Sequence, residues 1–83
     1  MSVENSELSS ILSGVIEVIV ATGNLKGLEP DEDFYDAGIS SLMSLPILLE
    51  LEDRYGVSLP DDRFINARSP RALAEIIADL KTA

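Results

Sequence analysis

Apolar residues recur along the first twenty positions with the spacing of an amphipathic helix. Their repeat at i, i+3, i+4 and i+7 predicts a helix from Glu4 to Val20 with one apolar face. Asn5 or Ser6 offers a side-chain oxygen that can cap the first turn. The members of the apolar face are Leu8, Ile11, Leu12, Val15, Ile16 and Ile19.

The helical period is lost between residues 21 and 40. This stretch holds three of the five glycines and one proline, residues typical of turns. We therefore predict one long loop between the first and second helices, of the kind that is usually functional when it occurs in a compact domain. Its apolar members Leu25, Leu28, Phe34 and Ile39 are expected to fold back over the core.

A second helix is predicted from residue 41 to residue 55, ended by Gly56. Pro46 lacks a backbone N–H and disfavours helical angles at the residue before it. The helix therefore begins either at Ser41 with a distorted first turn or near Ser44. At about 100° per residue, the inward arc is predicted to hold Leu45, Leu48, Leu49, Leu51 and Tyr55, and the exposed stripe Met43, Pro46, Glu50 and Asp53.

Two further helices are predicted after this segment. A short turn begins at Asp61, and a longer helix has Ser69 as its N-cap and Pro70 as its first residue. The inner face of the longer helix is predicted to hold Leu73, Ile76, Ile77 and Leu80. The fold class is therefore all-α: a small four-helix bundle with three main helices, one short helix and a single domain over residues 1–83.

Composition narrows the possible partners. Fifteen acidic and six basic residues give a net charge of −9, which disfavours nucleic acid and anionic membrane as partners. The chain has no cysteine, no apolar run long enough to span a bilayer and an acidic N-terminus unlike a signal peptide. We therefore expect a cytoplasmic protein, and a monomer.

The segment "GISSL" at residues 38–42 raises the question of chemistry, because it contains two adjacent serines. The chain has no histidine, so a Ser-His-Asp site is impossible, and Leu42 stands where the nucleophile elbow needs glycine. The twelve residues from Asp31 also fail as a calcium loop, since Leu42 occupies the position of the bidentate glutamate. No catalytic or metal-binding residue is predicted. Ser40 or Ser41 is then either a helix cap or a serine that another enzyme modifies.

The stretch "DFYDAGISSL", followed by "LLELEDRYGVSLPD", resembles the acyl and peptidyl carrier proteins. Their motif reads G-x-D-S-L, and Gly38, Ser41 and Leu42 match it, whereas Ser40 replaces the aspartate. The resemblance implies that Ser41 bears a covalent 4′-phosphopantetheine arm, with Gly38, Ser40 and Leu42 around it. The implied protein is not an enzyme. It carries acyl or aminoacyl groups as thioesters in fatty acid, polyketide or nonribosomal peptide type biosynthesis.

The resemblance also implies partners: a phosphopantetheinyl transferase, a ligase or transferase that loads the acyl or aminoacyl group, and downstream biosynthetic enzymes. Met43, Pro46, Glu50 and Asp53 are the predicted contact residues. Met43 and Pro46 stand where such carriers often have acids, which favours a dedicated carrier over a housekeeping one. Long cargo can be expected to enter the aliphatic core. The alternative is an acidic helical interaction module of the same fold that is never modified.

Overall fold

The computed structural model describes residues 3–82, and the side chains of residues 7–81. Within this range the chain is all-helical, with no strand, which confirms the predicted fold class. Helix α1 packs against both α2 and α4. The helices are α1 (Val3–Gly23), α2 (Ser41–Tyr55), α3 (Asp61–Asn66) and α4 (Pro70–Thr82).

Helix α1 is longer at both ends than the apolar repeat predicted. It begins at Val3, so the prediction that Asn5 or Ser6 caps its start was wrong, because both lie inside the helix. It ends at Gly23 and is followed by Asn24 in the left-handed conformation, with a φ of 54°. The extra turn brings the end of α1 close to the loop that leads into α2.

The core is aliphatic apart from two phenylalanines, and no polar side chain is buried in it among the described residues. The long loop contributes to it as predicted: Leu28, Phe34 and Ile39 are buried, and Leu25 is half-buried against it. Burying apolar area of this kind is the main stabilising contribution in a domain without disulfides. The loop is therefore part of the packed structure and not a tether between helices.

The inward face of α2 differs from the prediction. Ile47, Leu48 and Leu51 are buried, whereas Leu45 and Leu49 are 58% and 55% exposed, so their assignment to the inward arc was wrong. The error has a physical reason. Leucines lie on both sides of this helix, so the apolar pattern alone does not select a face.

Met43 was also placed on the wrong side of α2. It is half-buried and packs against the core, because it lies one and two turns before Ile47 and Leu51 on the same helical face. Tyr55 is half-buried as well, and its hydroxyl donates a hydrogen bond to the Ile11 carbonyl of α1 at 3.3 Å.

Helices α3 and α4 begin as predicted. The Ser69 hydroxyl accepts a hydrogen bond from the Ala72 N–H at 3.2 Å, and Pro70 is the first residue of α4. Leu73 and Ile77 are buried, whereas Ile76 and Leu80 are only half-buried against the core. The link between α3 and α4 lies beside the long loop, and this position matters for the site.

Candidate functional site

The serine pair lies at the start of α2. Ser40 is the N-cap residue with extended backbone angles, and Ser41 is the first helical residue, so the helix does not start late at Ser44. Both serine side chains are exposed, and Ser40 makes no side-chain capping hydrogen bond. Leu42 is 86% exposed. The Ser41 hydroxyl is therefore open to an approaching enzyme.

The first turn of α2 accommodates Pro46 without breaking. The helix continues through the proline, and the Ser44 hydroxyl donates a hydrogen bond to the Ser41 carbonyl at 2.6 Å. This bond lies within the first turn, and the carbonyl that loses its helical donor to Pro46 is that of Leu42. The sequence prediction did not include this hydrogen bond, although serine hydroxyls in helices often bond to the carbonyl three or four residues earlier.

The first turn of α2 also carries no acidic side chain. Ser40, which stands where the carrier motif has aspartate, is the N-cap residue before this turn and is uncharged as well. The free N–H groups and the positive end of the helix dipole therefore face solvent without an opposing carboxylate in the turn itself. Such an end favours a covalently attached phosphate on an adjacent hydroxyl.

The segment before the serines is held by close packing. Gly38 has a φ of 120°, which side-chain-bearing residues rarely adopt, and its N–H donates a hydrogen bond to the Tyr35 carbonyl at 3.2 Å, so the chain turns tightly at this glycine. The next residue, Ile39, is buried, and its side chain lies so near Gly23 of α1 that a methyl group there would overlap it. Ile39 is thus an apolar anchor two residues before Ser41.

A groove of about 190 Å³ opens between α2 and α3, one turn beyond Ser41. Ser44 and Leu45 follow Ser41 by three and four residues, so they lie on the same side of the helix as its hydroxyl. The floor is apolar and the rim carries one carboxylate. The groove is lined by Ser44, Leu45, Leu48, Asp61, Phe64 and Ile65.

Exposed apolar side chains form a row beside this groove, which we call the apolar row: Leu42, Leu45, Leu49 and Ile65. Sequence reasoning missed it, because two of its leucines were assigned to the core. Of the predicted contact residues, Pro46, Glu50 and Asp53 are exposed on α2, whereas Met43 is not part of the exposed stripe.

Acidic side chains lie next to the apolar row on both helices. Glu50 and Asp53 are exposed on α2, and Asp61 and Asp62 are exposed in the first turn of α3. By contrast, four arginines are already paired with carboxylates, at N–O distances from 2.7 to 3.5 Å. The surface near Ser41 is therefore apolar with a negative margin.

Asp33, which sequence reasoning did not single out, makes several polar contacts in the loop that leads to Ser40. The Arg68 guanidinium donates a hydrogen bond to this carboxylate and, with the Asp36 and Tyr35 N–H groups, holds the pKa of Asp33 below its ordinary value of 3.8. The same contact raises the pKa of Arg68. Elsewhere, burial raises the pKa of the Tyr55 hydroxyl.

Metal and membrane features are not found in the described part of the chain. No group of three or more possible metal-binding side chains comes together among these residues. None of the helices described has the length and hydropathy needed to cross a bilayer.

Comparison with known proteins gives a consistent result. Residues 6–77 match the family model described as "Phosphopantetheine attachment site". The chain is 36% identical over 47 residues to a probable acyl carrier protein of Caulobacter vibrioides, an alignment that covers 57% of this chain and 55% of that protein. It is 41% identical over 54 residues to the actinorhodin polyketide synthase acyl carrier protein of Streptomyces coelicolor, covering 65% of this chain and 63% of that one. The matched part thus spans less than two thirds of either relative.

Proposed function

Because the chain belongs to the phosphopantetheine attachment site family, we propose that Ser41 is the residue to which its arm is attached. Proteins of this family are carriers and not catalysts, and their prosthetic group is a covalent 4′-phosphopantetheine. One observation carries the choice of residue: Ser41 occupies the serine position of the family motif and is exposed at the first position of α2. Ser40 is exposed as well, so the motif and not exposure separates the two.

The residues around Ser41 fit a phosphodiester. The first turn of α2 presents N–H groups and the positive end of the helix dipole, and it carries no acidic side chain that would repel the phosphate. The thiol of the bound arm supplies the thioester chemistry. The chain itself places the Ser41 hydroxyl at the start of α2. Because Ser41 and Leu42 are exposed, the arm has space to extend away from the surface.

The groove between α2 and α3 is the surface along which the arm, or a short cargo, would lie. It begins one turn from Ser41, and its floor of Leu48 and Phe64 suits methylene groups. Longer cargo would have to part these two side chains to reach the core. Entry of cargo into the core therefore stays a prediction.

Partner enzymes would dock on the apolar row and its acidic margin. Apolar side chains this exposed, close to the proposed attachment residue, are typical of a contact surface. The matching partner surface has an apolar centre and a rim of lysine or arginine. The partner surface predicted from sequence is thereby revised: Pro46, Glu50 and Asp53 remain in it, and Leu42, Leu45 and Leu49 take the place of Met43.

The type of pathway can be narrowed by one relative. The chain is 41% identical, over the aligned region, to a carrier that serves a polyketide synthase. We therefore place polyketide-type biosynthesis before fatty acid or nonribosomal peptide biosynthesis, with a phosphopantetheinyl transferase, a loading enzyme and downstream enzymes as partners. The predicted cytoplasmic location and monomeric state remain predictions.

Intact-mass measurement after coexpression with a broad-specificity phosphopantetheinyl transferase tests the attachment site. We expect the wild-type chain to gain the mass of one arm, and Ser40→Ala to gain it as well. Ser41→Ala should gain nothing. If Ser40→Ala abolishes the gain while Ser41→Ala retains it, the assignment is wrong. No gain in the wild type with several transferases would favour the unmodified interaction module.

A further inference from the structure

The carboxylate of Asp33 joins two distant parts of the chain. One oxygen, Oδ1, accepts hydrogen bonds from the backbone N–H groups of Tyr35 at 2.9 Å and Asp36 at 3.2 Å. The other, Oδ2, accepts a hydrogen bond from Arg68 Nε at 2.7 Å. The Asp33 side chain is 29% exposed. It therefore caps a turn in the long loop and at the same time pairs with the link between α3 and α4.

The capped turn continues directly to the serines. The next residue, Phe34, donates a backbone N–H hydrogen bond to the Arg68 carbonyl at 3.0 Å. The loop is therefore bound to Arg68 through the backbone as well as through the side chain. The Phe34 carbonyl in turn accepts the Ile39 N–H at 3.0 Å. Both Phe34 and Ile39 are buried. The turn of residues 33–39 is thus held at each end, and Ser40 follows it immediately.

The Arg68 side chain is also held from a second direction. Its guanidinium carbon lies 4.9 Å from the centroid of the Tyr35 ring, within range of a cation–π contact. The Tyr35 ring lies against Phe34, with centroids 4.7 Å apart. Arginine provides the planar group that such stacking and a directed Nε–H bond require together, and lysine does not.

We propose that Asp33 and Arg68 are positioning residues for Ser41. They hold the turn of residues 33–39, the turn sets the position of Ile39, and Ile39 sets where the chain enters α2. The exposed side chains of Ser41 and Leu42 do little to fix this position themselves. The inference rests on the proposed function, because it assigns these residues to the presentation of the attachment hydroxyl.

Transferase kinetics with the full chain as the varied substrate test the inference. In Asp33→Ala we expect kcat to fall about tenfold, because a misplaced nucleophile reduces the fraction of productive geometries. KM should stay within about twofold of the wild type, because the apolar row and acidic margin on α2 are untouched. Loss of folded protein alone would instead lower the concentration of active substrate and be visible by circular dichroism.

Asp31→Ala is the matched control. Asp31 lies in the same loop, pairs with Arg71 at 2.7 Å and has the same charge, but the hydrogen bonds of its side chain go to Arg71 and not to the turn of residues 33–39. We expect both kinetic constants of Asp31→Ala to remain within about twofold of the wild type. Equal effects of Asp31→Ala and Asp33→Ala on kcat would overturn the proposal.

Two milder variants separate the two roles of Asp33: accepting the N–H groups of Tyr35 and Asp36, and pairing with Arg68. Asp33→Asn keeps an oxygen for the N–H groups of the turn but loses the charge facing Arg68, and Arg68→Gln removes the same pair from the other side. We expect each to lower kcat about threefold, less than Asp33→Ala. If Asp33→Ala does not fold, these two variants decide the matter: wild-type kcat in both would refute the role of the pair.

Amide hydrogen exchange of the unmodified chain provides a readout independent of modification. The Ile39 amide should exchange about tenfold faster in Asp33→Ala and at the wild-type rate in Asp31→Ala. An unchanged Ile39 rate in Asp33→Ala would overturn the inference. If the wild-type chain takes no arm from any transferase, the proposed function fails, and the exchange comparison still decides whether this pair positions the serine segment.

Discussion

Two neighbouring leucines of α2 offer a direct comparison between core and contact surface. Leu48 is 8% exposed and Leu49 is 55% exposed, although they are adjacent and identical in type. Replacing Leu48 by alanine removes nearly fully buried methyl groups and leaves a cavity. We expect this to lower the free energy of unfolding by about 2–5 kcal/mol.

The same change at Leu49 should cost much less. Burying a leucine side chain fully contributes about 1.5–3 kcal/mol. At Leu49 roughly half of the side-chain surface is already in contact with water. Solvent can also fill the space that the alanine leaves. We therefore expect a cost of about 1 kcal/mol or less for Leu49→Ala. A domain of 83 residues has a total stability of roughly 4–12 kcal/mol, so the difference between the variants is easily measured.

Urea denaturation followed by circular dichroism at pH 7 gives both free energies. The transferase KM provides the complementary readout: we expect Leu49→Ala to raise it, because an apolar contact is lost from the apolar row, and folded Leu48→Ala to leave it near the wild-type value. Equal stability costs, or a larger cost at Leu49, would show that the assignment of the α2 faces is wrong. A wild-type KM in Leu49→Ala would exclude this leucine from the contact surface.

Three other changes test individual contacts. Gly14→Ala places a methyl group where the Tyr55 hydroxyl lies, so we expect a loss of about 1–3 kcal/mol of unfolding free energy. In a Tyr55→Phe background the loss should shrink, because the overlapping hydroxyl is absent, and the helix propensity of alanine, about 1 kcal/mol better than that of glycine, offsets part of what remains. Additive urea results for the four proteins would contradict the overlap. Gly23→Ala should lower the thermal midpoint by displacing Ile39, and an unchanged midpoint would show that the contact yields easily. The arginine partner and the turn N–H groups depress the folded-state pKa of Asp33 below 3.8, so its stabilising contribution is present above that pH and is lost as the pH falls through the folded-state pKa. The stability difference between the wild type and Asp33→Asn should therefore shrink between pH 7 and pH 2.5, and a constant difference in urea titrations would refute this pairing.

Local signals were enough to predict much of the fold. The cap at Ser69, the proline after it and the apolar repeat predicted the start of α4 correctly, because these interactions join residues only three or four positions apart. The glycine at position 56 ended α2 in the left-handed conformation for the same reason. The motif around Ser41 was equally local, since it is a short run of adjacent residues.

Contacts between residues far apart in the sequence decide which side of α2 faces the core. They also decide how the turn of residues 33–39 is held. The amino acid sequence places leucines around most of α2, and only the tertiary packing determined that Leu48 is inside while Leu45 and Leu49 remain outside. The pair of Asp33 and Arg68 spans 35 positions, and nothing in the local pattern of either residue indicates the other. The sequence by itself thus determined the helical fold class, the helix ends marked by Gly56 and Ser69, and the match to the carrier motif at Ser41. The tertiary structure decided which apolar side chains face solvent and which residues hold the turn before the proposed attachment serine, because burial and ion pairing depend on which segments meet in space.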